Sequence, residues 1–160
     1  MPGWEDVAVI VGGAAAALIG ALFVAVSINI QVIGRSTELR NRAAQTLVLF
    51  GGPLTLSVLL AVPDQPDVVL GAELVTVAVL TGTTALVLDR RAKRQRDHTI
   101  LGHLMEVTTP NAATAVLTAA GGVILLIGRP AGLYLLIPAF IATLIGGALN
   151  AWLLLTRITD

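Results

Sequence analysis

The stretch VGGAAAALIGALFVAVSIN, residues 11–29, carries no charge and fills almost every second position with glycine or alanine. A helix needs about 20 mostly apolar residues to cross a hydrocarbon core about 30 Å thick. Helices in lipid gain no hydrophobic advantage by touching, and small side chains that let two backbones approach supply the packing instead. The stretch therefore predicts a membrane-spanning helix that packs closely against a neighbour.

The composition extends this prediction to the whole chain. Of 160 residues, 56% are apolar before the 16 glycines are counted, whereas soluble domains reach about 45–50% with glycine included. Charged residues make up only 12% and lie in clusters, which indicates an integral membrane protein. The net charge is zero, so no overall field attracts nucleic acid. Because cysteine is absent, disulfides, thiolate nucleophiles and cysteine-based metal sites are excluded.

Five apolar stretches are long enough to cross a bilayer, and we expect one transmembrane domain over residues 1–160, an all-α polytopic helix bundle. The predicted helices lie at about 7–33, 43–62, 68–88, 108–127 and 132–155, with a basic cytoplasmic loop at 89–107. The fourth stretch is the least apolar, so four crossings is the alternative. Its Thr109-Pro110 start, a good N-cap followed by proline at the first helical position, favours a genuine crossing.

The distribution of basic residues predicts the orientation. Nine of the ten Lys and Arg residues face the cytoplasm if the N-terminus is outside and the C-terminus inside, and only Arg129 then lies outside. The same nine-to-one split results if the fourth stretch fails to cross, so the count does not choose between four and five crossings.

Two ladders of small residues run along the first predicted helix at four-residue spacing. One ladder is Gly13, Ala17, Ala21 and Ala25, and the other is Gly12, Ala16 and Gly20. Together they form one smooth face, which predicts that this helix is central in the bundle or pairs with a copy of itself. We favour packing within the chain, since such patterns are frequent and weakly specific.

One acid falls well inside a predicted span. Glu73 lies about 9 Å below the outer end of its helix, and an ion in hydrocarbon must be neutralised, paired or hydrated. It is the best candidate for a functional ionisable group. The alternative, which we favour, is that Glu73 reaches the outer interface or pairs with Arg129.

Four amide side chains share the inner third of the membrane in this topology: Asn29, Gln31, Asn111 and Asn150. They predict either a polar vestibule open to the cytoplasm or hydrogen bonds between helices. The second use is the more frequent, at about 0.6–2 kcal/mol per contact.

The basic loop predicts a short helix on the inner membrane surface that binds anionic lipid, although the positive-inside signal alone explains its cations. These cations are Arg90, Arg91, Lys93, Arg94 and Arg96. His98 and His103 are five residues apart and do not share a helix face, while His103 and Glu106 lack an obvious third ligand, so we expect no metal and no cofactor. We found no catalytic motif and expect no enzyme.

Two segments resemble a family of small, uncharacterised multi-helix membrane proteins of high-GC bacteria. The residues are WED at 4–6, GGAAAALIGALFVAVSIN at 12–29 and GLYLLIPAFIATLIGGALNAWLLL at 132–155. Some members carry the label of modulator of a membrane-bound AAA protease. The resemblance implies a multi-pass protein of the bacterial plasma membrane and supplies no functional residues.

Two functions remain open from the sequence. The first is a non-enzymatic interaction or modulator subunit that binds another membrane protein or itself within the bilayer. The alternative is a small transporter or proton-coupled carrier that uses Glu73 and the inner asparagines.

Overall fold

The computed structural model describes residues 3–93 and 108–159, with side chains placed for 3–88 other than Glu38 and for 111–152. The regular structure in these ranges is entirely helical. The α-helices are α1 (Trp4–Ile28), α2 (Ile30–Arg35), α3 (Thr37–Leu60), α4 (Asp67–Lys93), α5 (Thr108–Leu126) and α6 (Leu136–Thr159), and a 3-10 helix (Pro130–Leu135) joins α5 to α6.

The five long helices pack side by side in an antiparallel bundle. We call one end of the bundle the Trp4 end, which also holds the 61–66 loop and the 3-10 helix, and the other the Arg35 end. The central helix is α3, which contacts α1, α4 and α6, whereas α1 packs mainly on α3. The prediction that the first helix is central is therefore wrong.

Within the described residues, four helical segments are long and apolar enough to cross a membrane. They are Trp4–Ile28, Leu39–Leu60, Asp67–Leu88 and Pro130–Trp152. The apolar part of α5, Asn111–Leu126, is shorter. The predicted all-helical bundle is thus confirmed, and the choice between four and five crossings stays a prediction.

The first predicted helix is interrupted, and the second begins earlier than predicted. Asn29 ends α1: its backbone leaves the helical conformation, with φ −108° and ψ 21°, and its side-chain amide donates to the Ala25 carbonyl at 3.0 Å. Local bonds of this kind compete with continuation of a helix. Ser36 then caps α3 by accepting from the Leu39 N–H at 3.3 Å. The polar string 34–42, predicted as a loop, is mostly helical for this reason.

A Schellman motif ends α5 and turns the chain. Gly128 adopts φ +77°, its N–H donates to the Leu125 carbonyl at 2.9 Å, and the Arg129 N–H donates to the Ile124 carbonyl at 3.2 Å. Glycine suits this left-handed position because it has no Cβ. Pro130 follows and starts the 3-10 helix, so α6 begins at Leu136 rather than near residue 132 as predicted.

The interior of the Trp4 end is a leucine-rich apolar cluster. Its buried members come from every long helix and the 3-10 helix: Ala8, Val11, Leu56, Leu60, Leu70, Leu74, Leu125, Leu133, Leu136 and Phe140. Above it, the rings of Trp4 and Tyr134 meet edge to face, with centroids 5.9 Å apart. This leucine cluster leaves no polar route visible through that end of the described bundle.

Glycines bring α4 and α5 into backbone contact at the same end. A Cβ on Gly122 would lie 2.8 Å from the Gly71 carbonyl oxygen, and one on Gly71 would lie 2.9 Å from the Gly122 oxygen. Towards the Arg35 end the contact is looser, since a Cβ on Gly82 would lie 3.2 Å from that of Ala115. The small residues of these two helices therefore allow the close approach that lipid-embedded helices use.

Proline interrupts the hydrogen-bond ladder of the central helix. Pro53 lies inside α3 and is buried. It has no N–H to donate to the Leu49 carbonyl. The Ser57 hydroxyl donates to the Pro53 carbonyl at 2.8 Å one turn later.

The predicted basic loop begins as helix. Arg90, Arg91 and Lys93 lie on the last turns of α4, because this helix continues to Lys93. Arg94, Arg96, His98, His103 and Glu106 lie outside the described residues.

Candidate functional site

The small-residue face of α1 points away from the bundle. Gly13, Ala16, Ala17, Gly20 and Ala21 are exposed, and Gly12 and Ala25 are half-buried. The side of α1 that packs inward carries Ala8, Val11, Ala15 and Leu22 instead. Among the three glycines of this set, only Gly12 closely approaches another described residue, since a Cβ there would lie 3.1 Å from that of Ser57. The prediction that this face packs against other helices of the same chain is therefore wrong for most of its residues.

Buried polar residues occupy the middle of the bundle and its Arg35 end. They are Gln45, Thr46, Thr118, Thr143 and Asn150, while the buried Ser57 lies nearer the Trp4 end. Most of the buried amides and hydroxyls therefore lie outside the leucine cluster, among buried apolar residues such as Leu22, Leu49 and Phe50.

One polar contact joins α3 to α6. The Asn150 side-chain amide donates to the Thr46 hydroxyl, which donates in turn to the Arg42 carbonyl at 2.8 Å. Asn150 and Thr46 are 2% and 0% exposed, and the Asn150 Oδ1 has no partner among the described residues. Asn150 is thus an interhelical hydrogen-bonding residue with one acceptor left over, which is the structural use that the sequence favoured.

A second polar contact joins α5 to α6. The Thr143 hydroxyl donates to the Ala139 carbonyl at 2.5 Å, so the Thr114 hydroxyl must donate the 2.9 Å bond between the two threonines. The nearby Thr118 hydroxyl is buried and lacks a partner in the part of the chain that the structure describes.

Two cavities lie between these helices and share Asn111 and Ala115. The larger, of about 180 Å³, lies between α3, α4 and α5. Its described walls are Gln45, Gly82, Ala85, Leu86, Asn111, Ala112, Ala115 and Val116. The smaller, of about 20 Å³, extends toward the bundle centre and is lined by Thr81, Thr114, Thr118 and Thr143 among other residues.

Glu73 lies at the other end of the bundle. Its carboxylate accepts a 2.5 Å hydrogen bond from the Gln65 side-chain amide in the 61–66 loop. The predicted alternative of a pair with Arg129 is not found, because Arg129 is exposed and forms no ion pair within the described chain. The partner of Glu73 within the described chain is a neutral amide.

The structure does not assemble the predicted amide cluster as one site. Asn111 lines both cavities, and Asn150 bonds to Thr46. Asn29 bonds its own helix, and Gln31 is exposed on α2. Glu73 lies at the Trp4 end, away from the amides at the Arg35 end, so these residues do not form one continuous polar site.

Sequence reasoning missed Gln45 and the threonines. Gln45 interrupts the apolar run that begins at residue 43, a signal of the same kind as the asparagines. A threonine in the sequence does not predict a contact between helices, because most of the described threonines donate to a carbonyl one turn earlier in their own helix. Thr76 does so to Ala72 at 2.8 Å.

The long apolar helices and the polar contacts inside the bundle define a class, since they indicate a multi-pass membrane protein. Comparison with protein-family models, with curated proteins and with solved structures found no match to this chain. The resemblance to the bacterial membrane family therefore stays a prediction, and function must be argued from the bundle itself.

Proposed function

We propose that this protein is a non-enzymatic subunit of the bacterial plasma membrane that binds a helix of another membrane protein through the outer face of α1 and modulates that protein. The observation that carries the proposal is the exposure of Gly13, Ala16, Ala17, Gly20 and Ala21, which face away from their own bundle.

The surface of α1 differs from that of the other long helices. Only 17% of the residues in its most apolar 18-residue stretch are buried, against 44% for the corresponding stretch of α3. Small residues on such a surface leave a shallow groove in which a second helix gains van der Waals contact that lipid tails supply less well. Bulky exposed residues, as at Ile10 and Phe23, border this face and supply further contact area.

The orientation that we propose has five crossings, with the N-terminus outside and the C-terminus inside. The antiparallel packing of α5 against α4 supports five crossings. The two helices are in contact from Gly71 and Gly122 at one end to Gly82 and Ala115 at the other. The distribution of Lys and Arg supports the same orientation. Anionic lipid at the cations that end α4 fits this arrangement.

Cysteine cross-linking tests the interaction, because the natural chain has no cysteine. In native membranes, Ala17→Cys labelled with a benzophenone maleimide should give a light-dependent adduct with another membrane protein, because the photoprobe inserts into C–H bonds and needs no cysteine in the partner. Ala148→Cys is the matched control, an exposed alanine on α6. An adduct with a second copy would show self-association instead, and equal or absent adducts at the two positions would contradict the proposal.

A steric variant tests whether the small size of the residues matters. Ala17→Leu should abolish co-purification of the partner from mild detergent, and Ala148→Leu should leave it unchanged. Both changes add the same atoms to a lipid-facing position, so loss of the partner with both variants would count against a specific role for α1.

The second candidate is a small carrier, favoured by the cavity that Gln45 and Asn111 line. Its predicted ionisable group, Glu73, lies at the Trp4 end, between Leu70 and Leu74 of the leucine cluster along α4. The hypothesis requires that Glu73→Gln abolish flux in proteoliposomes, and an unaffected flux would remove Glu73 from the mechanism.

A further inference from the structure

We infer that the larger cavity between α3, α4 and α5 is a binding site for a small uncharged molecule that has an apolar body about the size of one aromatic ring and a hydrogen-bonding group. This site is separate from the α1 face, and it requires neither the proposed interaction nor transport.

The size of the cavity sets the size of the ligand. Its volume of about 180 Å³ is similar to that of a cavity of about 150 Å³ that binds benzene in an apolar protein core. Glycine and alanine at positions 82, 85, 112 and 115 leave this space, because small side chains from two helices face each other there.

The polarity of the walls sets the chemistry. The only polar side chains among the described wall residues are the amides of Gln45 and Asn111. Gln45 is 7% exposed, and neither amide forms a hydrogen bond within the described chain. Neither amide is among the fully buried unpaired atoms of the described chain, so their polar atoms open onto the cavity and are accessible to a ligand that can form a hydrogen bond. An uncharged ligand is required, because the described walls offer no charge to pair with an ion.

The position of the cavity sets the route of entry. Ala112 and Val116 line it and are exposed on the surface of the bundle, and Val116 is 67% exposed. The leucine cluster fills the Trp4 end. A molecule dissolved in the bilayer therefore reaches the cavity from the side, past the exposed side chains of Leu86, Ala112 and Val116, which suits a neutral compound that partitions into membranes.

The experiment compares 4-fluorophenol with fluorobenzene, two probes of nearly equal size of which only the phenol has a hydroxyl. Binding to the purified full-length protein in detergent is followed by fluorine NMR. Wild type should bind the phenol about three- to tenfold more tightly than fluorobenzene, the range expected for one hydrogen bond between neutral groups.

Variants separate the roles of the amides and of the space. At least one of Gln45→Leu and Asn111→Leu should remove the preference for the phenol while fluorobenzene still binds, whereas Ala85→Leu should weaken both probes. Gln31→Leu is the matched control, since it removes an exposed glutamine outside the cavity.

Thermal unfolding of the ligand-free protein guards against a trivial loss of fold. Gln45→Leu should unfold at the same temperature as wild type or higher, because it removes an amide that forms no hydrogen bond within the described chain, whereas a purely structural glutamine would lower it. Equal binding of the two probes, a preference that persists in both amide variants, or no binding of either probe would overturn the inference.

Discussion

The side-chain amide of Asn150 on α6 donates a hydrogen bond to the hydroxyl of Thr46 on α3, two residues that are 104 positions apart in the chain. Both side chains are buried. The contact fixes the axial register of the two helices at the Arg35 end, where the apolar cluster of the other end does not reach.

A double-mutant cycle tests this contact. Thr46→Val keeps the shape of the side chain but leaves the Asn150 amide without its partner, so it should lower the free energy of unfolding by about 1–2 kcal/mol. Adding Asn150→Leu should restore part of that loss, because it removes the stranded amide and the unpaired Oδ1. Reversible unfolding in detergent measures the cycle, and strictly additive losses would show that the two residues are not coupled.

Gly147 on α6 is predicted to be intolerant of a methyl group. A Cβ at this position would overlap the ring of Phe50, which is fully buried on α3. Gly147→Ala should therefore cost about 1–3 kcal/mol through overpacking, and Phe50→Leu in the same chain should recover much of it. Gly51→Ala is the control, since a Cβ added there would meet nothing within 4 Å. It should be neutral or stabilising.

The glycine contact between α4 and α5 predicts non-additive effects. Gly71→Ala or Gly122→Ala alone should destabilise the protein, since each Cβ would lie under 3.0 Å from the backbone oxygen of the other residue. Once the helices have separated for the first methyl group, the second should cost less. Unfolding midpoints of the two single variants and the double variant measure this, and Gly20→Ala, on an open face, is the control.

The hydrogen bond from Gln65 to Glu73 predicts that substitutions of the two residues change the free energy of unfolding by different amounts. Glu73→Gln keeps an oxygen that accepts from Gln65, so the free energy of unfolding should change by less than about 1 kcal/mol. Gln65→Leu leaves the carboxylate without its 2.5 Å donor and should cost about 1–2 kcal/mol. If Glu73→Gln proved the more damaging change, the charge itself would have a role beyond this bond.

The helices could be predicted from the sequence because hydropathy and length act locally. The start of α4 and both bounds of α5 came close to prediction, since PDQPD at 63–67 and GRPAG at 128–132 supply clear breaks, whereas α4 continues to Lys93 past the predicted end at 88. The break at Asn29 was missed, because a polar residue inside an apolar run gives the same sequence signal whether it interrupts the helix or pairs with a neighbour.

The direction in which each helix faces could not be predicted in the same way. A water-soluble helix shows a polar face outward, but a helix in lipid is apolar on both sides, so periodicity does not identify its inner face. The ladder from Gly13 to Ala21 was therefore assigned inward although it faces outward. The pairing of Thr46 with Asn150 likewise depends on packing between distant segments, which no local pattern reports.

Pro53 gives the central helix a mechanical property that its neighbours lack. The Leu49 carbonyl receives no backbone hydrogen bond from position 53. Bending α3 at this turn therefore breaks one backbone hydrogen bond fewer than bending it elsewhere. The turn separates the segment that holds Gln45 and Thr46 from the segment that holds Leu56 and Leu60. We therefore expect the α3 segment that holds Gln45 and Thr46 to move when a ligand occupies the larger cavity. The segment that holds Leu56 and Leu60 should stay packed in the leucine cluster.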